Sequence, residues 1–347
     1  MTARLISASW LALLPGALML TLALLVMAGP VSDARSATLL NASYDVAREF
    51  YRDYNPLFAR HWKETTQQDV TINQSHAGSS QQARAVIDGL AADVVTMNQG
   101  SDMQALASRG VIAKDWATRF PDGAAPTYST MLFVVRRGNP KHIVDWDDLT
   151  RPGVTVVMVN PKTGGNGRYS YLAAWGYAKK HGASDQDAER FETRLLANVP
   201  LLDAGGRAAT STFVQHNIGD VLITFESEVV QIEREFGAGQ VDTVVPSLSI
   251  RADNPVAVVE RTVEHDGQRA LATAYLQYLY SDEAQELAAR HFLRVRSDAV
   301  MKRHAADFKV VQLFGVDDMF GGWDNAQKVH FADGGTFDHA LAKVVRK

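Results

Sequence analysis

Short apolar runs alternate with helix-period segments along most of this chain, and no other feature constrains its fold as tightly. Thr38-Leu-Leu-Asn41 reads as a buried strand. From about Val46 to Lys63, the residues Phe50, Tyr54, Leu57, Phe58 and Trp62 fall on one face at i, i+3, i+4 spacing and predict a helix. Val70 to Ile72 and Ala92 to Thr96 predict further strands. Helices are predicted over Gln82 to Asp88 and Asp102 to Arg109, each ending at a glycine suited to a C-cap, Gly89 and Gly110. A second series holds strands at Met131 to Arg136 and Val154 to Val159, a helix over Arg168 to Lys180, and a strand at Val221 to Phe225. Val256 to Val259 is a strand before helices over Gln268 to Tyr280 and Glu283 to His291. Strands separated by helices of this length predict an α/β fold with parallel sheets. The 347 residues suit two such units. No internal repeat or Pro/Ser-rich linker separates them, so the chain is expected to cross directly between halves near Pro126 to Arg137 and Val244 to Arg251.

Four strand-to-helix turns are built from small residues: Asn41-Ala-Ser-Tyr-Asp45, Ser75-His-Ala-Gly-Ser-Ser80, Asn160-Pro-Lys-Thr-Gly-Gly-Asn-Gly-Arg168 and Asp203-Ala-Gly-Gly-Arg-Ala-Ala-Thr210. Gly, Ser and Asn let a ligand approach the backbone. The first N–H groups of each helix have no internal partner, and the helix dipole adds partial positive charge there. Such ends bind anions, and in open α/β sheets they lie beyond the strand C-termini, where ligands sit. One such turn is ordinary capping. Four of them, two in each half, predict a small oxyanion held between lobes by neutral donors.

The chain contains no cysteine, which excludes disulfides, thiolate zinc and iron–sulfur sites, a cysteine nucleophile and a lipid-modified N-terminal cysteine. Its net charge of -4 gives no broad positive field for nucleic acid. Leu5 to Ala28 runs 24 residues without a charge, 19 of them apolar, after a single Arg4. That length could span a bilayer as an uncleaved anchor. The Pro15-Gly16 break and the small-x-small site Ser32-Asp33-Ala34 favour a signal peptide cut after Ala34. The expectation is a periplasmic protein without a stable membrane anchor, monomeric, with a mature chain of 313 residues.

Other chemistries find weaker support. His76 lies three residues before Ser79, but no G-x-S-x-G elbow surrounds that serine. The Gly164-Gly165-Asn166-Gly167 turn matches neither a P-loop nor G-x-G-x-x-G. The ten histidines show no H-E-x-x-H or tight pairing, so no metal and no cofactor is expected. Tyr169 and Tyr171 are two apart on a helix and so diverge, unlike a vicinal tyrosine pair for iron. Arg168 and Arg207 beside the glycine turns either attract the anion or brace their loops. An exported hydrolase of sulfate or phosphate esters is the alternative to a binding protein. No nucleophile–base pair recommends it, and no catalytic residue is assigned.

Leu40-Asn-Ala-Ser-Tyr-Asp45, Gln74-Ser-His-Ala-Gly-Ser79, Gly138-Asn-Pro-Lys141, Asn160-Pro-Lys162 and Tyr171-Leu-Ala-Ala-Trp-Gly176 resemble the periplasmic sulfate/thiosulfate-binding proteins of ABC importers. So do Ile218-Gly-Asp-Val-Leu222, Phe320-Gly-Gly-Trp323 and His330-Phe-Ala-Asp-Gly-Gly335. The resemblance runs from about Leu39 to Phe337. It implies a type II periplasmic binding protein with two α/β lobes and two crossover strands, closing on a dianion, and partners comprising two permease subunits and an ATPase. The domain division expected is a signal peptide at 1–34, lobe 1 from 35–126 and 250–347, and lobe 2 from 127–249.

Carried over by position, the resemblance implies anion contacts from the Asp45 backbone N–H, the Ser79 hydroxyl with Ser80 beside it, the Gly164-Gly165-Asn166 turn, and the Gly206 backbone N–H. Phe225 stands where the sulfate-binding branch has a Trp donor, and Gly164 where it has Ser. Phe225-Glu-Ser-Glu228, Asn166 and the Ser75 to Ser80 segment look like the thiosulfate-binding branch, although Gly164 departs from both. An all-donor pocket suits fully ionised sulfate or thiosulfate and leaves the proton of hydrogen phosphate unpaired. Phe225 in place of an indole N–H would set an apolar edge against thiosulfate's weakly accepting sulfur; alternatively it is a core aromatic at a strand end.

Overall fold

The structure is a computed structural model and describes residues 37–236 and 239–345. The expected signal peptide and its cleavage after Ala34 lie outside these residues. The first half begins with β1 (Ala37–Tyr44), α1 (Arg48–Thr66), β2 (Val70–Ala77), α2 (Ser79–Ile87), β3 (Val94–Thr96) and α3 (Gly100–Ser108). β1 pairs in parallel with both β2 and β3. The aromatic stripe of α1 drives its docking. Phe50, Tyr51, Tyr54 and Phe58 are buried, and Tyr54 also donates from its hydroxyl to the Tyr275 carbonyl at 2.5 Å. Pro56 is tolerated inside α1, and Gln67 ends the helix in the left-handed conformation.

After the one-turn α4 (Pro121–Ala124) the chain crosses over through β4 (Thr127–Ser129) directly into β5 (Met131–Arg136). The second half continues with β6 (Val156–Val159), α5 (Gly165–Lys180), α6 (Asp185–Ala197), β7 (Leu202–Asp203), α7 (Gly206–Thr210), β8 (Val221–Phe225), α8 (Glu226–Phe236) and β9 (Val241–Val244). Its sheet has the order β7-β6-β8-β5-β9. The return crossing runs through β10 (Leu248–Ile250) and β11 (Ala252–Asn254) to β12 (Val256–Val258). β11 pairs antiparallel with β4, so the two crossovers lie side by side. β12 completes the first sheet, of order β12-β3-β1-β2.

The alternation alone predicts parallel sheets, but the sheets are mixed. β5 is antiparallel to β8, and β12 is antiparallel to β3. Both exceptions are strands that arrive from the other half. A strand fed by its own crossover helix must run parallel, whereas one entering from outside carries no such constraint.

The remaining chain forms α9 (Glu260–Asp266), α10 (Arg269–Tyr278), α11 (Asp282–Arg290), β13 (Arg294–Val295), α12 (Asp298–Arg303), β14 (Gln312–Phe314), α13 (Val316–Phe320), α14 (Trp323–Ala326) and α15 (Thr336–Val345). One core joins Leu39 through Ala124 to Val256 through Phe308. A second joins Met131, Phe133 and Ile223 to Phe314, Phe320, Phe331 and Phe337. Division at residue 250 places that last group in lobe 1, yet its apolar side chains bury against lobe 2. α5 is buried on nearly every side because the C-terminal helices cover the face turned away from the sheet.

Candidate functional site

Four strand ends deliver four turns to one place. β1 ends at Tyr44, and Asp45 opens a 3-10 turn. α2 begins at Ser79 after Gly78, α5 at Gly165 after Gly164, and α7 at Gly206 after Gly205. The glycines show how closely these turns meet. A Cβ on Gly78 would sit 3.2 Å from the Thr163 carbonyl oxygen and 3.5 Å from that of Ala204. One on Gly205 would lie 3.0 Å from Asp45 Oδ2, and one on Gly206 2.8 Å from Val46 Cγ2 and 3.6 Å from Asn166 Nδ2. One on Gly165 would overlap Asn98 Oδ1 and lie 2.8 Å from Asn98 Cγ. All of these but the Gly206–Asn166 approach pass from residues of one sheet's half to residues of the other. Asp45, Ser79, Gly164, Gly165, Asn166 and Gly206 are therefore brought together around the starts of three helices.

The outer members of the predicted set sit differently. Ser80 is one residue along α2 and donates from its hydroxyl to Asp102 Oδ1 at 2.8 Å. Phe225 ends β8 and is buried in the second core, edge-on to Tyr169 with ring centroids 6.1 Å apart. Its neighbour Thr224 accepts at Oγ1 from Asn166 Nδ2 at 3.2 Å, which orients the Asn166 amide.

Hydrogen bonding alters the expected roles of two side chains. A serine hydroxyl has one proton, and that of Ser79 goes to Asp102 Oδ2 at 2.5 Å. In this geometry the donors that α2 aims outward are its first backbone N–H groups. Asp45 places its carboxylate on the start of α7, accepting from Arg207 N at 3.2 Å, and also accepts from Val46 N at 3.1 Å. A carboxylate at a helix N-terminus is electrostatically favourable there and is already supplied with donors. Gly164 has extended backbone and room: a Cβ would rest 3.5 Å from Val159 Cγ1, an ordinary contact.

Arg168 and Arg207 both brace loops across the halves. Arg168 is buried, donating from Nε to the Pro161 carbonyl at 2.9 Å and from Nη1 to Ser101 Oγ at 2.6 Å. Arg207 pairs with Glu49 at 2.6 Å and Glu235 at 3.3 Å, and lies 3.8 Å from Glu228.

Glu228 has a fully buried side chain. It accepts from Thr210 Oγ1 at 2.7 Å, while its Oε2 has no hydrogen-bond partner among the described residues. Burial pushes its carboxyl up to about 7, against the lowering effect of Arg207 and Thr210 and with the raising effect of Asp45 and Glu49. The unfolded chain ionises this group near 4.3, about where a free Glu titrates, whereas the folded chain keeps its proton until about pH 7. Stability therefore falls as pH rises across that window. Glu228→Gln is expected to flatten this part of the curve and to raise the melting temperature at pH 8 above that of the parent, measured by thermal unfolding from pH 4.5 to 8.

The alternative chemistries are not assembled. His76 pairs with the Tyr44 carbonyl at 3.2 Å and with Gln74, while Ser79 is bonded to Asp102. Tyr169 and Tyr171 are both buried, the first against Trp323 and the second with its hydroxyl 3.0 Å from Thr336 Oγ1. Sequence reasoning missed a fifth strand-to-helix turn, Met97-Asn98-Gln99, between β3 and α3. It has no glycine before its helix begins, so the small-residue pattern passes over it, yet Asn98, Gln99 and Asp102 stand beside Ser79 and Gly165.

Two mixed α/β halves, paired crossover strands and helix starts converging between them define the type II solute-binding fold. Residues 39–294 match the family of bacterial extracellular solute-binding proteins, and the chain belongs to it. It is 54% identical over 301 residues to the thiosulfate-binding protein of Pseudomonas aeruginosa, covering 86% of this chain and 91% of the relative. It is 50% identical over 306 residues to the sulfate-binding protein of Escherichia coli, covering 88% and 93%. The solved sulfate-binding protein SubI of Mycobacterium tuberculosis superposes with a TM-score of 0.77 at 32% identity, over 84% of this chain and 98% of that one.

Proposed function

We propose that this chain is the periplasmic binding component of an ABC importer and that it holds thiosulfate or sulfate between its lobes. The observation that carries this reading is the meeting of three helix starts from two halves around Gly78, Gly165 and Gly206, with glycine where a Cβ would intrude. Backbone N–H groups and helix dipoles stabilise a dianion without a compensating cation. The relatives that share most of the chain's length are named for these two anions. The contacts proposed are the backbone N–H groups of Asp45, Ser79, Ser80, Gly165 and Gly206, with the Gly164–Asn166 turn. The Ser79 hydroxyl would contribute after turning from Asp102.

The export signal is assigned to residues 1–34, and the importer's permease subunits and ATPase are the partners. Residues 127–249 form the moving second lobe, and the packing of Phe314 to Ala340 supports their travelling with it. Phe225 sets the choice between anions by leaving an apolar edge where thiosulfate's sulfur rests. Calorimetric titration with thiosulfate, sulfate, molybdate and phosphate tests both claims. Thiosulfate and sulfate are expected to bind and phosphate not to. Phe225→Trp is expected to shift preference toward sulfate, and Gly164→Ser, for which there is space, to strengthen sulfate further. Absence of binding at millimolar thiosulfate and sulfate would refute the transport reading. Tighter sulfate than thiosulfate binding, unchanged by Phe225→Trp, would refute the role of Phe225.

A further inference from the structure

Asn98 stands in the turn between β3 and α3, two residues beyond the end of the strand. It is 3% exposed, and its backbone N–H donates to Ser79 Oγ at 3.4 Å. Across the cleft its amide faces Gly165, where only the absence of a side chain allows so close an approach. Its Oδ1 is buried and has no hydrogen-bond partner among the described residues. A buried amide oxygen left unpaired is costly and uncommon in a folded protein. The neighbouring Gln99 is half engaged: its Nε2 donates to Ser80 Oγ at 3.0 Å and to Asp102 Oδ2 at 2.7 Å, whereas its Oε1 is likewise buried without a hydrogen-bond partner among the described residues. Asp102 in turn takes the hydroxyl protons of Ser79 and Ser80. The first half thus commits both serine hydroxyls to a carboxylate, while the Asn98 amide carbonyl remains unpaired beside the start of α5.

We infer that Asn98 is a further contact to the bound oxyanion. An amide presents either its oxygen or its two N–H groups to the same spot after a half-turn about its last torsion. With an anion at the start of α5, the N–H₂ end faces the ligand and donates to one of its oxygens. That contact adds a side-chain donor from the first half and couples anion capture to the approach of Asn98 and Gly165. It rests on the anion-binding reading above.

Calorimetry of the full mature chain with thiosulfate and with sulfate, on the parent, Asn98→Ala and Asn98→Asp, tests the inference. Loss of one hydrogen bond to a charged ligand is expected to weaken binding by about tenfold to a hundredfold in Asn98→Ala. Asn98→Asp keeps the shape, removes the donor and adds negative charge, so its loss is expected to be larger still. The melting temperature of anion-free Asn98→Ala is expected to stay within a few degrees of the parent, since no side-chain hydrogen bond of Asn98 is present among the described residues, whereas Asn98→Asp is expected to melt lower because it buries a carboxylate near Asp102. Binding by Asn98→Ala within twofold of the parent overturns the assignment while leaving the anion reading intact. A parent that binds neither anion overturns both.

Discussion

Gly167→Ala is expected to lower affinity for thiosulfate or sulfate by more than a hundredfold and to destabilise the fold by about 1–3 kcal/mol, the usual cost of overpacking. A Cβ at this position would overlap the Val159 carbonyl oxygen and lie 2.7 Å from both the Asn160 carbonyl carbon and the Pro161 nitrogen. These are backbone atoms of the turn that launches α5, and no side chain can swing aside to make room. The first turn of α5 must then move, and with it the N–H groups that converge with those of α2 and α7. Gly164→Ala is the control for stability alone, because its Cβ meets Val159 Cγ1 at 3.5 Å and the Ala204 carbonyl oxygen at 4.0 Å, both ordinary contacts. Calorimetry and thermal melting of both variants decide the matter. Parental affinity in Gly167→Ala would show that the start of α5 does not hold the anion.

Arg294→Met is expected to cost about 3–5 kcal/mol in urea unfolding, the typical penalty for leaving one partner of a buried pair alone. Arg294 lies on β13, which pairs with the crossover strand β4, and Glu226 follows β8 in the second half. The guanidinium grips the carboxylate with two bonds, Nε to Oε2 at 2.6 Å and Nη2 to Oε1 at 2.9 Å, and both side chains are at most 10% exposed. Nη2 also donates to the Lys309 carbonyl at 2.6 Å, and the guanidinium sits 5.3 Å from the Phe308 ring centre. The double variant Arg294→Met with Glu226→Leu is expected to recover most of the loss, because no buried charge is left behind. A single variant as stable as the parent would mean that water or another cation already serves Glu226.

Much of the scaffold was legible from local pattern. The strands Met131 to Arg136 and Val221 to Phe225 appear with the boundaries that their apolar runs predict. The helix over Arg168 to Lys180 starts three residues earlier, at Gly165. Gly-Asn-Gly has poor helix propensity, and tertiary contact fixes that first turn instead. α6 went unread although Ser184 and Asp187 form a capping box there. The reversed strands β5 and β12 were hidden because direction is set by where the chain comes from, which no window of sequence records. At the site, the glycine turns were visible through residue type. The partners of Ser79 were not, since Asp102 lies 23 positions away and its role depends on a side-chain bond.

The two larger cores are discontinuous in the chain, whereas a third apolar cluster, from Leu132 to Val241, lies within the second half, and this orders the molecule's formation in time. The first is closed only when residues near Phe308 are present, and the second only when Phe337 and Ala340 are. During synthesis the chain therefore has neither core complete until nearly its whole length exists. Loss of a short C-terminal stretch would strip the cover from α5 and leave apolar surface open in the second half, far in sequence from the glycine turns between the halves. A polypeptide laid out this way postpones completion of its two larger cores to the end.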